Sequence, residues 1–452
     1  MKIPPSIFNN VIGPVMRGPS SSHTAASVRI GRLLLRLLGE EPESVKFYFD
    51  PNGSVAATYR GQGSAMGLAG GLLGMEISDP DLVKAEDICR TKGIDISYIV
   101  EPYGAIHPNT YRCDVTGISG KNLKVTALST GGGIVKVLEI DGKSIDDDLD
   151  YINELMPVKL KRDVKLPFND IDELTAILSE KGGKLSDYAL EYESALGNIS
   201  SEEVMSLGIS HATIMRNAIE NGLSGTVYDD RILHYQSHLI SKASEKRKII
   251  PAGIINNIIA SVSAIMETKS SMGVIVAAPT AGSCGTVAGV VMPVSDLSGN
   301  SEKETARAIL AAGLFGLFIA QDAGFAAEEG GCQYECGAAS GMAAAALVEL
   351  SGGDAITAIN AGSMALQNML GLICDPVADR VEIPCLGKNI MASLNALAAA
   401  NMVMAGYDHV IPAREVIRVM KDVGESMDHR YRCTCKGGLS VTPTAQKIYR
   451  RI

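Results

Sequence analysis

Three cysteines stand in turn-forming settings far apart in the chain: Cys332 in "GGCQYECG", and Cys374 and Cys385 at the two ends of "CDPVADRVEIPC". Buried thiols in such places serve a disulfide, a metal centre or simple core packing. The chain has nine cysteines, an odd number, and its N-terminus "MKIPPSIFNNVIGP" lacks the apolar core of a signal peptide. The expectation is therefore a cytoplasmic protein whose thiols stay reduced, which disfavours the disulfide. Near these three there is no CxxC and no histidine, so no zinc pattern is met. Cys332 lies just before a long apolar run, and Cys385 immediately precedes "LGKNIMASLNALAAAN". At helix starts the unpaired N–H groups and the dipole favour thiolate and a neighbouring anionic centre. Gly330, Gly331, Gly371, Pro376 and Pro384 shape tight backbone around all three, as a buried inorganic cofactor requires. The competing reading is that each is a small core hydrophobe. Cys336 is a further ligand or a bystander, and Cys433 and Cys435 in "RCTCKGG" read as structural.

A second chemistry-bearing stretch is "PSSSHT". Ser20, Ser21, Ser22, His23 and Thr24 immediately precede a helix, where hydroxyls and free backbone N–H groups form an anion site. One serine would suffice as an N-cap, and three exceed that need. "APTAGSCG" places Thr280, Gly282 and Ser283 in a turn that can bring backbone close to a ligand. His107 and Asn109 share the turn "HPNT". "STGGG" lacks Walker spacing and reads as a tight turn.

The elements that must position these residues fall into two kinds. "SVKFYFD" (44–50), "TYRCDVTG" and "GIVKVLEIDG" alternate as half-buried strands do. The run 25–39 carries a helical apolar stripe of Val28, Ile30, Leu33, Leu34 and Leu37. Residues 1–157 thus read as an α+β domain. The segment 158–185 is charged, contains Pro167 and one amphipathic helix, and reads as a linker over the surface. From 186 to 452 strand signals nearly vanish and helices follow one another, several apolar all round. The fold class expected is multidomain, an α+β domain followed by an all-α domain that carries the thiol centre.

Composition limits the partners. The chain has 452 residues, 46% of them hydrophobic, no Trp and a net charge of −10 without any Lys/Arg cluster. That argues against nucleic acid and anionic membrane. The uncharged span 272–295 is long, but "APTAGSCGT" and Pro293 interrupt it, so a buried turn is expected. The partner expected is a small molecule, with a homo-oligomer, a dimer, burying some of the apolar helical faces.

These motifs together resemble the iron–sulfur-dependent L-serine dehydratases in their single-chain form. "GCQYECG", "GLICDPVADRVEIPC" and "APTAGSCGTV" resemble that family's α domain. "GPSSSHTAASVRIGR", "NGSVAATYRGQGS", "HPNT" and "STGGGIV" resemble its β domain, in the same order. The resemblance implies a [4Fe-4S] cluster on Cys332, Cys374 and Cys385, with the fourth iron open to substrate. It implies β-elimination of L-serine to pyruvate and ammonia, the open iron acting as a Lewis acid. It implies His23 and His107 as catalytic residues, and Ser20, Ser21, Ser22, Thr24, Asn109, Thr280, Gly282 and Ser283 around the substrate.

Three departures accompany it. Gln62 stands where the family typically has a histidine favoured as base, and an amide cannot accept the α-proton. His23 or another group must then do so. No cysteine follows Cys435 to cap the open iron. Ala281 stands where asparagine is usual. The alternatives are the same elimination on L-cysteine or L-threonine, pyridoxal-phosphate chemistry, for which no lysine has a persuasive setting, and a catalytically silent amino-acid sensor.

Overall fold

Alternating apolar residues in 42–140 build one mixed sheet. The computed structural model describes residues 4–229 and 231–451. Six strands lie in the order Asp95–Val100, Pro42–Phe49, Thr110–Gly117, Asn122–Ser129, Val135–Ile140 and Lys143–Ser144. The first two pair in parallel and the rest antiparallel, with Phe47 opposite Cys113 and Val45 opposite Val115. Val45, Phe47, Phe49, Val115 and Val125 turn to one face and meet Ile30, Leu33 and Leu34 of the helix Ala26–Leu38. That helix ends where Gly39 takes a left-handed φ of 74° and donates to Leu35. Strand and helix bounds here follow the periodicity closely.

Beyond 160, among the described residues, the elements are helices apart from the two-residue strand Ile275–Val276, which pairs with Val15–Met16. The apolar runs become the helices Glu302–Asp322, Ala338–Leu350, Ala355–Gln367 and Cys385–Met404. Their Ala and Gly content lets axes approach closely, and Ala338–Leu350 is buried along its whole length. Glu302–Asp322 is the one helix among the described residues long and apolar enough to cross a membrane. However, 78% of its apolar window is buried against its neighbours, which makes it a core helix. The span 272–295 holds the expected turn, at Ala281–Ser283, before the helix Cys284–Ser298.

Two segments depart from the sequence reading. Ile7, Phe8, Val11 and Ile12 pack into the helical core, not against the sheet. Asn9 fixes them there, its amide donating to the Val158 carbonyl (2.8 Å) and accepting from the Val158 N–H (2.9 Å). The segment 158–185 is likewise anchored, through Val158, Phe168, Leu174 and Leu178. Its charged residues cover a surface while its sparse apolar residues dock.

Candidate active site

The thiol centre is assembled by backbone stitching among three remote segments. Gly331, with φ 74°, turns the chain from the short helix Ala327–Gly330 into Cys332. A β-carbon there would press on the Leu372 carbonyl and Met427, so only glycine suits the position. The Gln333 N–H then donates to Leu372 (3.0 Å), drawing Cys332 beside Cys374. Cys374 in turn donates to Tyr431 (2.8 Å) and accepts from the Cys433 N–H (3.1 Å). The sulfurs of Cys332 and Cys374 and a carboxylate oxygen of Glu335 all lie within 4.8 Å of one another. The side chains of Cys332, Cys374 and Cys433 pack together.

Cys385 starts the helix Cys385–Met404, which brings two more polar side chains inward. Lys388 donates to the Ile373 carbonyl (2.6 Å) and Asp375 (2.7 Å), and its ammonium lies 3.8 Å from the Cys332 sulfur. Asn389 donates to the carbonyls of Gly282 (2.8 Å) and Cys385 (2.9 Å) and reaches the Cys336 sulfur at 3.6 Å. Contact with the Cys332 and Cys433 thiols pushes the Cys374 thiol well up, with burial adding to it. Burial, then the charge of Cys332, does the same at Cys385. Burial also pushes the Glu335 carboxyl up to about 7. A dry set of thiols whose ionisation is this unfavourable is a set that a cation would stabilise.

The anion turn abuts this centre. Ser21–Ala25 form a wide turn that runs into the Ala26–Leu38 helix. The Ser21 hydroxyl accepts from the Ala281 N–H (3.1 Å), which joins the expected turn at 280–283 to the expected turn at 20–24. Thr280 caps its own turn through Ser283 and donates to Glu335 (2.6 Å). Ser22 donates to Glu328 (2.8 Å), and Thr24 donates to the Gln62 carbonyl (2.9 Å).

His23 is fully buried and held on both nitrogens. The Thr58 hydroxyl gives its proton to the Ser54 carbonyl (2.7 Å), so it accepts from His23 Nε2 (2.7 Å). That fixes the proton on Nε2 and leaves the Nδ1 lone pair facing Ser20 and Ser22 (3.1 Å each) and Glu328 (3.5 Å). Burial lowers the His23 pKa, with Glu328 opposing, so the ring is neutral at physiological pH.

Asn109 is completely buried, and both its amide nitrogen and its amide oxygen lack any partner. A buried amide with donor and acceptor both unused costs a few kcal/mol unless a ligand satisfies it. His107 lies at the mouth of the site, where Nε2 donates to Glu329 (2.9 Å) and Nδ1 accepts from the Asn109 N–H (3.1 Å). The loop that carries it is held by Asp50, whose carboxylate accepts from the N–H groups of Tyr103, Gly104 and Ala105. A cleft of about 470 Å³ opens here, lined by His107, Glu328, Glu329, Tyr334 and Arg432 among others.

Of the three thiols named from the sequence, Cys332 and Cys374 share one close donor group with Glu335, and Cys385 lies outside that group. Ser21 meets the 280–283 turn, and Ser20 and Ser22 meet His23. His107 stands apart on the cleft wall. The reading missed Glu328, Glu335, Thr58, Lys388, Asn389 and the place of Cys433. Lys388 and Asn389 follow Cys385 by three and four residues on one helix, a spacing that puts them on its face. Cys433, read as structural, lies against Cys374.

A family model described as the serine dehydratase alpha chain matches residues 180–440. An L-serine dehydratase of Streptomyces coelicolor is 30% identical, over 94% of this chain and 96% of its own length. The L-serine dehydratase TdcG of Escherichia coli is 29% identical, over 94% and 96%. A probable L-serine dehydratase alpha chain of Bacillus subtilis is 35% identical over 63% of this chain and 95% of its own. This chain belongs to the serine dehydratase family.

Proposed function

We propose that the protein is a carbon–oxygen lyase that removes water and ammonia from L-serine, with a [4Fe-4S] cluster on Cys332, Cys374 and Cys385. The observation that carries this reading is a thiol centre joined through Glu335, Thr280 and Ala281 to the anion turn at Ser21, in a chain that also holds the unpartnered, buried Asn109 amide. The donor set fits the cofactor. Soft thiolates select iron–sulfur clusters over hard cations, and Lys388 supplies positive charge against a sulfur. When bound, the cluster supplies a Lewis-acid corner for the leaving hydroxyl.

The chain's own residues do the rest. Hydroxyls of Ser20, Ser21 and Ser22 at the helix start receive the substrate carboxylate. The Asn109 oxygen accepts from the ammonium and its nitrogen donates to the carboxylate, which satisfies both orphaned atoms. His23 Nδ1 takes the α-proton, and Glu328 holds the imidazolium that results. The Cα–H electron pair becomes the Cα=Cβ bond as the β-hydroxyl departs with the Cβ–O electron pair, as hydroxide that takes up one proton to become water. Aminoacrylate tautomerises, consumes one water, and yields pyruvate and ammonia.

The test is anaerobic reconstitution followed by pyruvate assay on L-serine, L-threonine and L-cysteine. Brown protein with about four irons per chain and a preference for L-serine is expected. Active protein without iron overturns the cluster. Preference for L-cysteine or L-threonine moves the substrate, and loaded protein without turnover leaves a sensor.

A further inference from the structure

Gln62 and Asp379 form a buried pair that the steps above do not use. The Gln62 amide nitrogen donates to Asp379 Oδ1 at 3.0 Å and lies 3.7 Å from the Cys433 sulfur. Gln62 is 2% exposed and Asp379 7%. Asp379 belongs to the loop between Cys374 and Cys385, and both it and Ala378 take left-handed backbone, with φ of 59° and 51°. Residues other than glycine are held in that conformation only when their surroundings over-determine it, and such strain gathers at functional sites. Room for the carboxyl is made by Gly61, where a β-carbon would overlap Asp379 Oδ2.

The pair also connects to the anion turn. The Gln62 carbonyl accepts from Thr24, the residue after His23, while its side chain reaches the cysteine loop. One residue therefore spans the distance between His23 on one side and Asp379 on the other. An amide moves no proton itself, but it can aim a carboxyl.

We propose, on the elimination reading above, that Asp379 is the general acid that protonates the leaving β-oxygen, positioned by Gln62. The loop that carries it also carries two of the thiols, so it stands on the leaving-group side, and His23 stands on the carboxylate side. As the Cβ–O bond breaks, the Asp379 O–H proton passes to the departing oxygen and water forms. His23 gains the α-proton in the same elimination, and return of that proton to Asp379 through solvent restores the starting state.

The surroundings agree with this division. Burial raises the Asp379 carboxyl to about 7, against opposing contributions from Gln62 and Arg380, whereas burial lowers His23. Opposite shifts in one site separate the acid from the base. The Cys435 thiol, itself raised by burial, borders it, and Ala445 and Ile448 of the C-terminal helix pack with Val377 and Ala378 beside it. Among the described residues Asp379 has no ion-pair partner.

The test varies the leaving group. β-Chloro-L-alanine expels chloride, which needs no proton. The reconstituted full chain is compared with Asp379→Gly, which the left-handed backbone favours, and with Asp379→Asn, which keeps the shape. Iron content must match wild type. In both variants kcat on L-serine is expected to fall about 100-fold or more, while that on β-chloro-L-alanine changes less than about threefold. With L-serine the wild type should lose activity as pH rises past about 7, a limb absent with the chloro substrate. Infrared spectra below neutral pH should show a protonated-carboxyl band that Asp379→Gly lacks. Equal loss on both substrates, no loss on either, or no such band overturns the assignment. Failure of the wild type on L-serine instead overturns the reading beneath it.

Discussion

The sheet half and the helical half bury different things. In the sheet half Phe47, Phe49, Val45 and Val125 meet Ile30 and Leu33, and ladder hydrogen bonds satisfy the backbone. In the helical half alanine and glycine let helices close in, and that half buries Asp375, Asp379 and the thiols of Cys332, Cys374 and Cys385, with Glu335 and Lys388 half-buried beside them. Burying a titratable group costs several kcal/mol unless it is partnered. Apolar residues of like volume would pack as well. The contrast teaches that the sheet itself is packed with apolar side chains, while reactive groups of both halves, His23 and Gln62 from the first and Glu328 and Asp379 from the second, gather where the two halves meet.

The largest expected break in that contrast is Cys374→Ser. We expect brown colour and pyruvate formation to fall to background while far-ultraviolet circular dichroism is unchanged; iron content equal to wild type would remove Cys374 from the centre. Phe47→Ala, at a fully buried sheet position, should do the reverse. It should cost about 3–5 kcal/mol in denaturant unfolding and leave iron per folded chain intact.

A smaller effect sharpens the contrast through pH. Glu193 is buried, accepts from Ser6 and from the Ile7 N–H, and has its carboxyl raised by burial from 4.5 to about 7. Its folded pKa exceeds its unfolded one, so its contribution to stability is full below about 4.5 and is lost as pH rises through about 7. Wild type should lose up to about 3 kcal/mol across that window from this group. Glu193→Gln should flatten the slope in chemical denaturation at a series of pH values. An unchanged slope would mean that the carboxyl ionises freely.

Legibility followed the range of the interactions. Thr110–Gly117 and Ala26–Leu38 were readable because period and end signals are local. The three cysteines, the serine turn and "APTAGSCG" were readable as motifs, but their meeting was not, since the Ser21–Ala281 bond crosses 260 residues. Ile7–Val11 gave no sign of packing on helices 300 residues away, because a short apolar run names no partner. Cys433 was unreadable for the same reason, as its place depends on a bridge between Cys374 and Arg432. Leu174 and Leu178 marked an amphipathic helix without saying that it would dock deeply.

The most direct measurement is Mössbauer spectroscopy on protein reconstituted with enriched iron, before and after L-serine is added. The account predicts a [4Fe-4S] signal in which about one quarter of the iron, the corner without a thiolate, shifts when substrate binds. A spectrum untouched by L-serine, or iron that never assembles on these thiols, would contradict it.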